Sequence, residues 1–167
     1  MRKTIIGVMG PAAGATLKDI NNAFLLGKLI AEQGWVLLTG GRKAGVMDAA
    51  SKGAKEAGGL TIGILPTSEK DAISEAVDIP VITEMQNARN IINVLSSNVV
   101  IACGMGAGTA SEVALAIKTE KKVILLCDDN VAKAFFKNLG GDNVMMADDP
   151  EVAVDILKRI ISEQNKV

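Results

Sequence analysis

A glycine-rich loop that opens directly onto a helix is the part of this sequence best suited to chemistry. In the segment 98–112, an apolar run ends at Cys103 and is followed by glycines at positions 104, 106 and 108 and by Thr109. Glycines let the backbone approach a ligand closely, and the first amides of a helix point at an anion placed before them. The segment therefore predicts a phosphate-binding site, with one acidic residue, Glu112, a turn inside the helix.

Two further glycine-rich loops follow predicted strands, at residues 7–14 and 40–47. None of the three loops has the dinucleotide fingerprint G-x-G-x-x-G or the P-loop pattern G-x-x-x-x-G-K-[ST]. The carboxyl ends of parallel strands lie at one edge of a sheet, so the three loops would converge there, which favours anion or nucleotide binding over simple turns. The residues predicted to bind the phosphate or nucleotide are Gly10, Gly40, Gly41, Gly45, Met47, Gly104, Met105, Gly106, Ala107, Gly108 and Thr109.

Arg89 and Glu112 are candidates for which a structural and a chemical role both remain open. Thr109 and Glu112 have the spacing of a capping box, in which the carboxylate accepts a hydrogen bond from the Thr109 amide and does no chemistry. A second box, at Thr83–Gln86, predicts a helix with a buried apolar stripe and with Arg89 at the border of that stripe. Because side chains lean toward the helix N-terminus, Arg89 either reaches the ligand edge or remains an ordinary surface arginine.

The composition limits how a ligand can be recognised. The chain has no histidine, so acid–base work falls to Asp, Glu, Lys or Cys, and we expect no metal site. One tryptophan and three phenylalanines leave little for ring stacking, so Met9, Met47 and Met105 are hypothesised to form a soft apolar wall, with ordinary core filling as the favoured alternative. For Arg42 and Lys43, in the second loop, a solvated pair of cations is favoured over a phosphate-binding role.

The charge balance and the cysteines argue against a macromolecular partner and against secretion. With 18 basic and 19 acidic residues, the chain lacks the basic excess of a nucleic-acid or anionic-membrane binder. The basic and then apolar start at residues 1–9 fits a first buried strand better than a signal peptide, and no apolar run is long enough for a membrane helix. Cys103 and Cys127 belong to no C-x-x-C pair, which fits reduced thiols in a cytoplasmic protein.

Short β-branched runs alternate with longer helical patterns, which predicts parallel strands joined by crossover helices. The length favours a single domain, 1–167. We expect strands near 4–9, 35–39, 60–64, 79–82, 98–103, 122–127 and 143–146. We expect helices near 17–33, 45–57, 84–96, 109–119, 130–138 and 150–164. For the stretch 66–78, a plain loop with one helical turn is favoured over a mobile lid. The predicted fold class is α/β, a three-layer Rossmann-like sandwich with a mostly parallel sheet of about six to seven strands flanked by helices.

The two glycine-rich stretches Gly40–Met47 and Gly104–Glu112 carry a family resemblance. They are similar to the G-G-G-x-x-G-L-M and P-G-G-x-G-T-x-x-E motifs of the LONELY GUY family, once labelled lysine decarboxylases, in a superfamily of nucleotide-binding Rossmann-like proteins. The resemblance places the family's catalytic arginine at Arg89 and its catalytic glutamate at Glu112. The sequences Thr39-Gly-Gly and Ala88-Arg-Asn look closer to a bacterial branch of the superfamily that includes molybdenum-cofactor-carrier-like proteins.

The resemblance implies a function with two alternatives. One is a nucleoside 5′-monophosphate phosphoribohydrolase, which needs no cofactor and cleaves an N-glycosidic bond to give a base and ribose 5-phosphate. In that reaction the Glu112 carboxylate would stabilise the oxocarbenium-like sugar and activate water, and Arg89 would organise the phosphate or the carboxylate. The other is a non-catalytic carrier of molybdenum cofactor, a phosphorylated pterin, or a nucleotide sensor. A homodimer or homotetramer is also implied.

Four residues depart from the family motifs. Gly104 replaces a proline, Met105 the first glycine of the later motif, Arg42 the third glycine of the earlier one, and Asn90 a basic residue. Met105 has the largest consequence, because a side chain stands where bare backbone would meet a phosphate. These departures make the carrier alternative credible, while the three glycine loops disfavour a purely structural domain.

Overall fold

A parallel sheet of seven strands lies at the centre of the computed structural model, which describes residues 2–164. The sheet order is β4-β3-β2-β1-β5-β6-β7, and every neighbouring pair is parallel. The strands are β1 (Ile5–Met9), β2 (Val36–Thr39), β3 (Thr61–Leu65), β4 (Ile79–Ile82), β5 (Val99–Cys103), β6 (Lys122–Leu126) and β7 (Val144–Met146). Each lies within one or two residues of its predicted position.

Six α-helices cover the sheet and complete the three-layer Rossmann-like sandwich that the sequence predicts. They are α1 (Leu17–Glu32), α2 (Gly45–Glu56), α3 (Asn90–Ser96), α4 (Ala107–Lys118), α5 (Asn130–Gly140) and α6 (Pro150–Gln164). Apolar residues of α1, α2 and α6 form one core cluster with the sheet, and residues of α3, α4 and α5 form a second. Ile101 faces the first cluster, whereas Val100 and Ala102 face the second, as the alternation of strand side chains requires. Within residues 2–164, no helix combines the length and apolarity needed to span a membrane.

The chain order changes direction between β1 and β5, which pair side by side at the centre of the sheet. From β1 the chain builds outward to β4 at one edge, then returns to β5 and builds to β7 at the other. Met9 is in register with Ala102, so the loops that follow these two strands leave the sheet together. In open α/β sheets ligands bind in the crevice at this point, outside the carboxyl ends of the strands.

The predicted helix at 84–96 is wrong in its first half. A 3-10 turn occupies Gln86–Arg89, and α3 begins only at Asn90. Glu84 and Gln86 both have left-handed backbone conformations, with φ of 55° and 49°. The reason is tertiary: the Gln86 amide donates to the carbonyl oxygen of Pro66 at 3.2 Å, which holds the chain against the loop after β3.

The predicted capping box at Thr83–Gln86 and the apolar stripe of this helix are also wrong. The Thr83 hydroxyl donates to the Leu65 carbonyl at 2.7 Å and so ends a strand instead of starting a helix. Met85 and Leu95 are 46% and 55% exposed, whereas Arg89 is buried. The shifted helix start therefore buries Asn93 and Val94, with Ile92 packed on the core, and leaves Met85 and Leu95 outside the predicted stripe.

The stretch 66–78 is a loop with one helical turn, as the favoured interpretation predicts. The turn is a 3-10 helix at Lys70–Ala72. The stretch is bound to the second glycine loop, because the Lys43 amide donates to the Ala72 carbonyl at 2.7 Å and the Ser74 amide to the Gly41 carbonyl at 2.9 Å. Residues 66–78 thereby become neighbours of the carboxyl edge of the sheet.

Candidate functional site

A cavity of about 400 Å³, which we call the site cavity, opens where the loops after β1, β2 and β5 meet. The loops contact one another through their backbones. The Val46 amide donates to the Pro11 carbonyl at 3.1 Å, and a Cβ at Gly45 would lie 2.3 Å from the Ala12 carbonyl oxygen. The convergence of the three loops thus matches the sequence-based expectation. The predicted site residues that line the cavity are Gly10, Gly40, Met47, Arg89, Gly106, Ala107, Gly108, Thr109 and Glu112.

Four predicted ligand contacts lie behind the cavity wall instead. Gly41 packs against Gly63, Gly45 against the loop after β1, and Gly104 against the carboxylate of Asp19. Met105 is half-buried and packs against the core cluster beneath α3, α4 and α5. These residues shape the loops, and a direct contact between any of them and a ligand stays a prediction.

This placement reduces the hypothesised apolar wall of Met9, Met47 and Met105, the methionine wall, to two residues. Met9 and Met47 line the site cavity, and Met105 is not among its lining residues. Arg42, for which a solvated role was favoured, lines the cavity as well, whereas Lys43 forms an ion pair of 2.6 Å with Glu75 outside it. Arg42 is therefore a further candidate for contact with an anionic ligand.

The N-terminus of α4 opens onto the site cavity. The helix begins at Ala107, two residues earlier than predicted, and its N-cap is Gly106, which provides no side-chain cap. The predicted capping box is therefore wrong: Thr109 is the third helical residue, and Glu112 does not reach back to it. The first amides of a helix lack carbonyl partners within the helix, so those of Ala107, Gly108 and Thr109 are free to bind an anion.

Arg89 brings a buried cation to the opposite wall. Its side chain is only 8% exposed, and its Nη1 donates to Oδ1 of Asn90 at 3.3 Å. The guanidinium lies against the backbone of Gly40, where a Cβ would come within 2.8 Å of Nη2, so a side chain at position 40 would displace it. Burial lowers the pKa of Arg89, the nearby Glu112 opposes this effect, and Arg42 adds to it. A second negative charge beside Arg89 would compensate for its burial.

Glu112 is held by Asn93, a residue that the sequence reasoning missed. The Asn93 side chain is fully buried, and its Nδ2 donates to Oε1 of Glu112 at 2.7 Å. Burial raises the pKa of Glu112 to about 7, and the hydrogen bond from Asn93 and the charge of Arg89 oppose that rise. The carboxyl group is therefore present in both protonation states near neutral pH. The available signal was an amide between apolar residues 92 and 94, one helical turn after Arg89.

Three buried polar atoms around the site have no hydrogen-bond partner within the described part of the chain. They are Arg89 Nε, Asn93 Oδ1 and Thr109 Oγ1. Leaving such a group unpaired costs about 1–3 kcal/mol, so buried polar groups are normally satisfied by protein, water or ligand. Arg89 and Thr109 line the site cavity and Asn93 does not, so two of the three atoms, both donors, lie where a polar ligand would complete them.

The charges of the site favour an anionic ligand. Two arginines and a helix N-terminus surround a single carboxyl group whose pKa is near neutrality. Among residues 2–164, no group of three or more His, Cys, Asp or Glu side chains is placed to hold a metal ion. Phosphate is the simplest group to satisfy both the amides of α4 and the guanidinium of Arg89.

The fold and this cavity define a Rossmann-like protein with a candidate site for a small anionic ligand at the central crevice of the sheet. Residues 3–154 match the model of the SLOG cluster4 family, and the chain belongs to that family.

Known relatives agree with this assignment and with the branch of the predicted resemblance. The molybdenum cofactor binding protein of Rippkaea orientalis is 59% identical, with 96% of this chain and 99% of that chain covered and a TM-score of 0.95. The Moco carrier protein of Chlamydomonas reinhardtii is 51% identical, with 97% and 99% covered and a TM-score of 0.92. An uncharacterised protein of Archaeoglobus fulgidus is 45% identical over 126 residues, which are 75% of this chain and 82% of that protein.

Proposed function

We propose that this protein binds molybdenum cofactor, a phosphorylated pterin, in the site cavity and carries it as cargo without chemical turnover. The observation that carries the proposal is the 59% identity, over 96% of the chain, to a protein described as binding that cofactor. The structure adds a cavity of suitable size, about 400 Å³, within the range common for small-molecule sites.

The residues around the cavity fit a phosphorylated pterin. The amides at the start of α4 and the guanidinium of Arg89 would hold the phosphate, since both offer donors to an anion. The pterin ring presents donors and acceptors along its edge, and Thr109, which lines the cavity, has a buried Oγ1 that finds no partner among the described residues. Met9 and Met47 supply the apolar surface that a chain with few aromatic residues offers to a heterocycle.

A phosphoribohydrolase is the second candidate function, and one observation favours it. Arg89 and Glu112 line the same cavity, as the hydrolase motif requires. Hydrolysis needs the Glu112 carboxylate in its ionised form to stabilise positive charge on the sugar. Burial raises the pKa of Glu112 to about 7, which is compatible with acid–base catalysis near neutral pH. Cargo binding does not require the ionised form, because a protonated carboxyl group can donate a hydrogen bond to the ligand.

The deciding experiment measures retention and turnover on the same purified protein. Wild type is incubated with molybdenum cofactor, separated from free ligand by rapid desalting, and assayed for bound pterin and for transfer to a cofactor-free molybdoenzyme. In parallel, a panel of nucleoside 5′-monophosphates is followed for free base by chromatography. The proposal predicts retained, transferable cofactor and no free base. Free base that disappears in Glu112→Gln would establish the hydrolase instead.

We also propose that the protein is a homo-oligomer built from two copies or a multiple of two. Helix α5 carries an exposed apolar stripe of Val131, Phe135 and Leu139, which are 82%, 60% and 57% exposed and spaced at four residues. An exposed apolar stripe of this kind is suited to burial against the same stripe of a second copy across a two-fold axis. Light scattering after size exclusion should give a dimer or tetramer for wild type and a smaller species for Phe135→Glu. A wild-type monomer would contradict the proposal.

A further inference from the structure

A second cavity of about 340 Å³, which we call the outer cavity, adjoins the site cavity. Three residues, Arg42, Asn87 and Arg89, line both cavities and therefore form the boundary between them. The remaining wall of the outer cavity comes from the loop after β3 and from the turn before α3. Neither the family motifs nor the proposed cargo-binding contacts assign a role to the residues of this remaining wall.

The charges at the boundary indicate what would bind there. Among the described residues, neither Arg42 nor Arg89 has a carboxylate oxygen within 4.0 Å, although both are cations lining the same two cavities. Arg89 Nε is buried and has no hydrogen-bond partner within residues 2–164. A phosphate or pyrophosphate between the two guanidinium groups would neutralise both and supply the missing acceptor.

The outer cavity differs from its boundary in the chemistry of its wall. Glu69, Thr67 and Gln86 line it, together with the apolar residues Leu65 and Ala72. A carboxylate repels a phosphate but accepts hydrogen bonds from hydroxyl groups, as the acidic residue of a dinucleotide fold does from a ribose. The wall therefore suits an uncharged, hydroxyl-bearing group with an apolar face, such as a nucleoside.

The backbone that forms this wall is held in an uncommon conformation. Gln86 lines the outer cavity, and both it and Glu84 have positive φ although neither is glycine. The Glu84 carboxylate accepts a hydrogen bond from the Ser68 amide at 2.7 Å, which ties the turn to the loop after β3. Left-handed backbone is energetically unfavourable for residues other than glycine, and such residues cluster at ligand clamps. The shape of this wall is thus fixed by specific tertiary bonds.

We propose that the outer cavity is a nucleoside subsite and that the whole site takes a ligand of the dinucleotide type. The heterocycle lies in the site cavity, a pyrophosphate lies between Arg42 and Arg89, and the nucleoside lies in the outer cavity beside Glu69. This inference rests on the proposed function for its inner half. It extends the cargo from the pterin monophosphate to the same pterin joined through pyrophosphate to a nucleoside.

Variants in and next to the 3-10 turn at Lys70–Ala72 test the subsite without touching the site cavity. Ala72→Leu narrows the outer cavity, since Ala72 lines it and does not line the site cavity. Glu69→Gln removes the carboxylate that faces the ribose. Asp71→Asn is the matched control, because Asp71 is an exposed neighbour that lines neither cavity. Melting temperatures of all variants establish that each is folded.

Calorimetric titrations use three probes: molybdenum cofactor, its guanine dinucleotide form, and GDP, which carries the outer half without the pterin. We expect wild type to bind the dinucleotide form about tenfold more tightly than the cofactor, equivalent to about 1.4 kcal/mol. Ala72→Leu should abolish that difference and GDP binding while leaving affinity for the cofactor unchanged. Glu69→Gln should weaken the dinucleotide form and GDP severalfold, and Asp71→Asn should match wild type.

The subsite is overturned if wild type binds the dinucleotide form no more tightly than the cofactor and does not bind GDP. It is also overturned if Ala72→Leu binds GDP as well as wild type does. It is also overturned if Ala72→Leu weakens the cofactor and the dinucleotide form equally. Failure of the proposed function looks different. In that case the cofactor does not bind at all, while GDP still binds to wild type and not to Ala72→Leu. That result would support the nucleoside subsite and contradict the binding of the pterin.

Discussion

The side-chain amide of Asn93 donates a 2.7 Å hydrogen bond to the carboxyl group of Glu112 and joins α3 to α4 beside the site cavity. Both residues are buried, and the second oxygen of Glu112 has no protein donor among the hydrogen bonds of the described residues. The bond fixes the orientation of the one carboxyl group in the cavity. It also decides how readily that group ionises, because hydrogen bonding to a carboxylate stabilises the charged form.

Replacing Asn93 by leucine should raise the pKa of Glu112 above about 7, since the variant removes the donor that opposes the effect of burial. The pKa is measured by NMR titration of the labelled glutamate side chain. Asn21→Leu, at an exposed position of α1, is the matched control and should leave the titration of Glu112 as in wild type. An unchanged or lowered pKa in Asn93→Leu would show that the bond does not support the charged form.

The raised pKa of Glu112 also predicts how stability depends on pH. The folded protein binds the Glu112 proton more tightly than the unfolded chain does, so the free energy of unfolding should fall as pH rises from 4.5 to about 7. This contribution is at most about 3–4 kcal/mol, because one pKa unit corresponds to about 1.4 kcal/mol. Urea unfolding between pH 4.5 and about 7 should show that the free energy of unfolding falls less with pH in Glu112→Gln than in wild type.

Glu163→Gln removes an exposed acidic side chain near the end of α6 and serves as the control for the loss of one charge. It should retain the decline seen in wild type. A Glu112→Gln variant with the same pH dependence as wild type would mean that Glu112 ionises in the folded protein as it does in the unfolded chain.

Substituting Gly108 by alanine should change stability and affinity in opposite directions. Nothing lies within 4 Å of a Cβ at this position, and the residue is helical, so stability should rise by up to about 0.5 kcal/mol. The added methyl group would stand where the backbone of α4 meets the phosphate, so cofactor affinity should fall about tenfold or more. Thermal unfolding and calorimetric titration measure the two effects. Undiminished affinity would place the phosphate elsewhere.

Met105 and Met47 should respond differently to substitution by alanine. Met105 packs on the core and does not line the site cavity, so Met105→Ala should lower the free energy of unfolding by about 1 kcal/mol and leave cofactor affinity within about twofold. Met47 lines the cavity, so Met47→Ala should weaken binding as well as stability. A large loss of affinity in Met105→Ala at unchanged stability would restore Met105 to the proposed methionine wall.

The fold and the position of the candidate site could be predicted because both follow from local patterns. Strand and helix periods differ clearly along the chain, and glycines directly after strands mark the carboxyl edge of a parallel sheet. Gly10, Gly40 and Gly106 accordingly meet at one cavity. The pairing of Arg89 with Glu112 across that cavity came from the family resemblance and not from the spacing of the residues.

The remaining features depend on contacts between distant parts of the chain. The late start of α3 requires the Gln86 amide to bind Pro66, twenty residues earlier in sequence, and a capping-box pattern at Thr83 gives no sign of it. Burial of Arg89 and Asn93 follows from that shift. The outer cavity arises because an aperiodic stretch, residues 66–78, binds the second glycine loop.

Native mass spectrometry of wild type and Arg89→Met, each incubated with molybdenum cofactor, tests the central claim most directly. Arg159→Met, an exposed arginine on α6, is the matched control. The account predicts one cofactor mass per chain for wild type and Arg159→Met, with the cofactor recovered unaltered, and at least about a tenfold lower occupancy for Arg89→Met at the same ligand concentration. No bound cofactor in wild type, equal occupancy in Arg89→Met, or recovery of a cleaved product would contradict it.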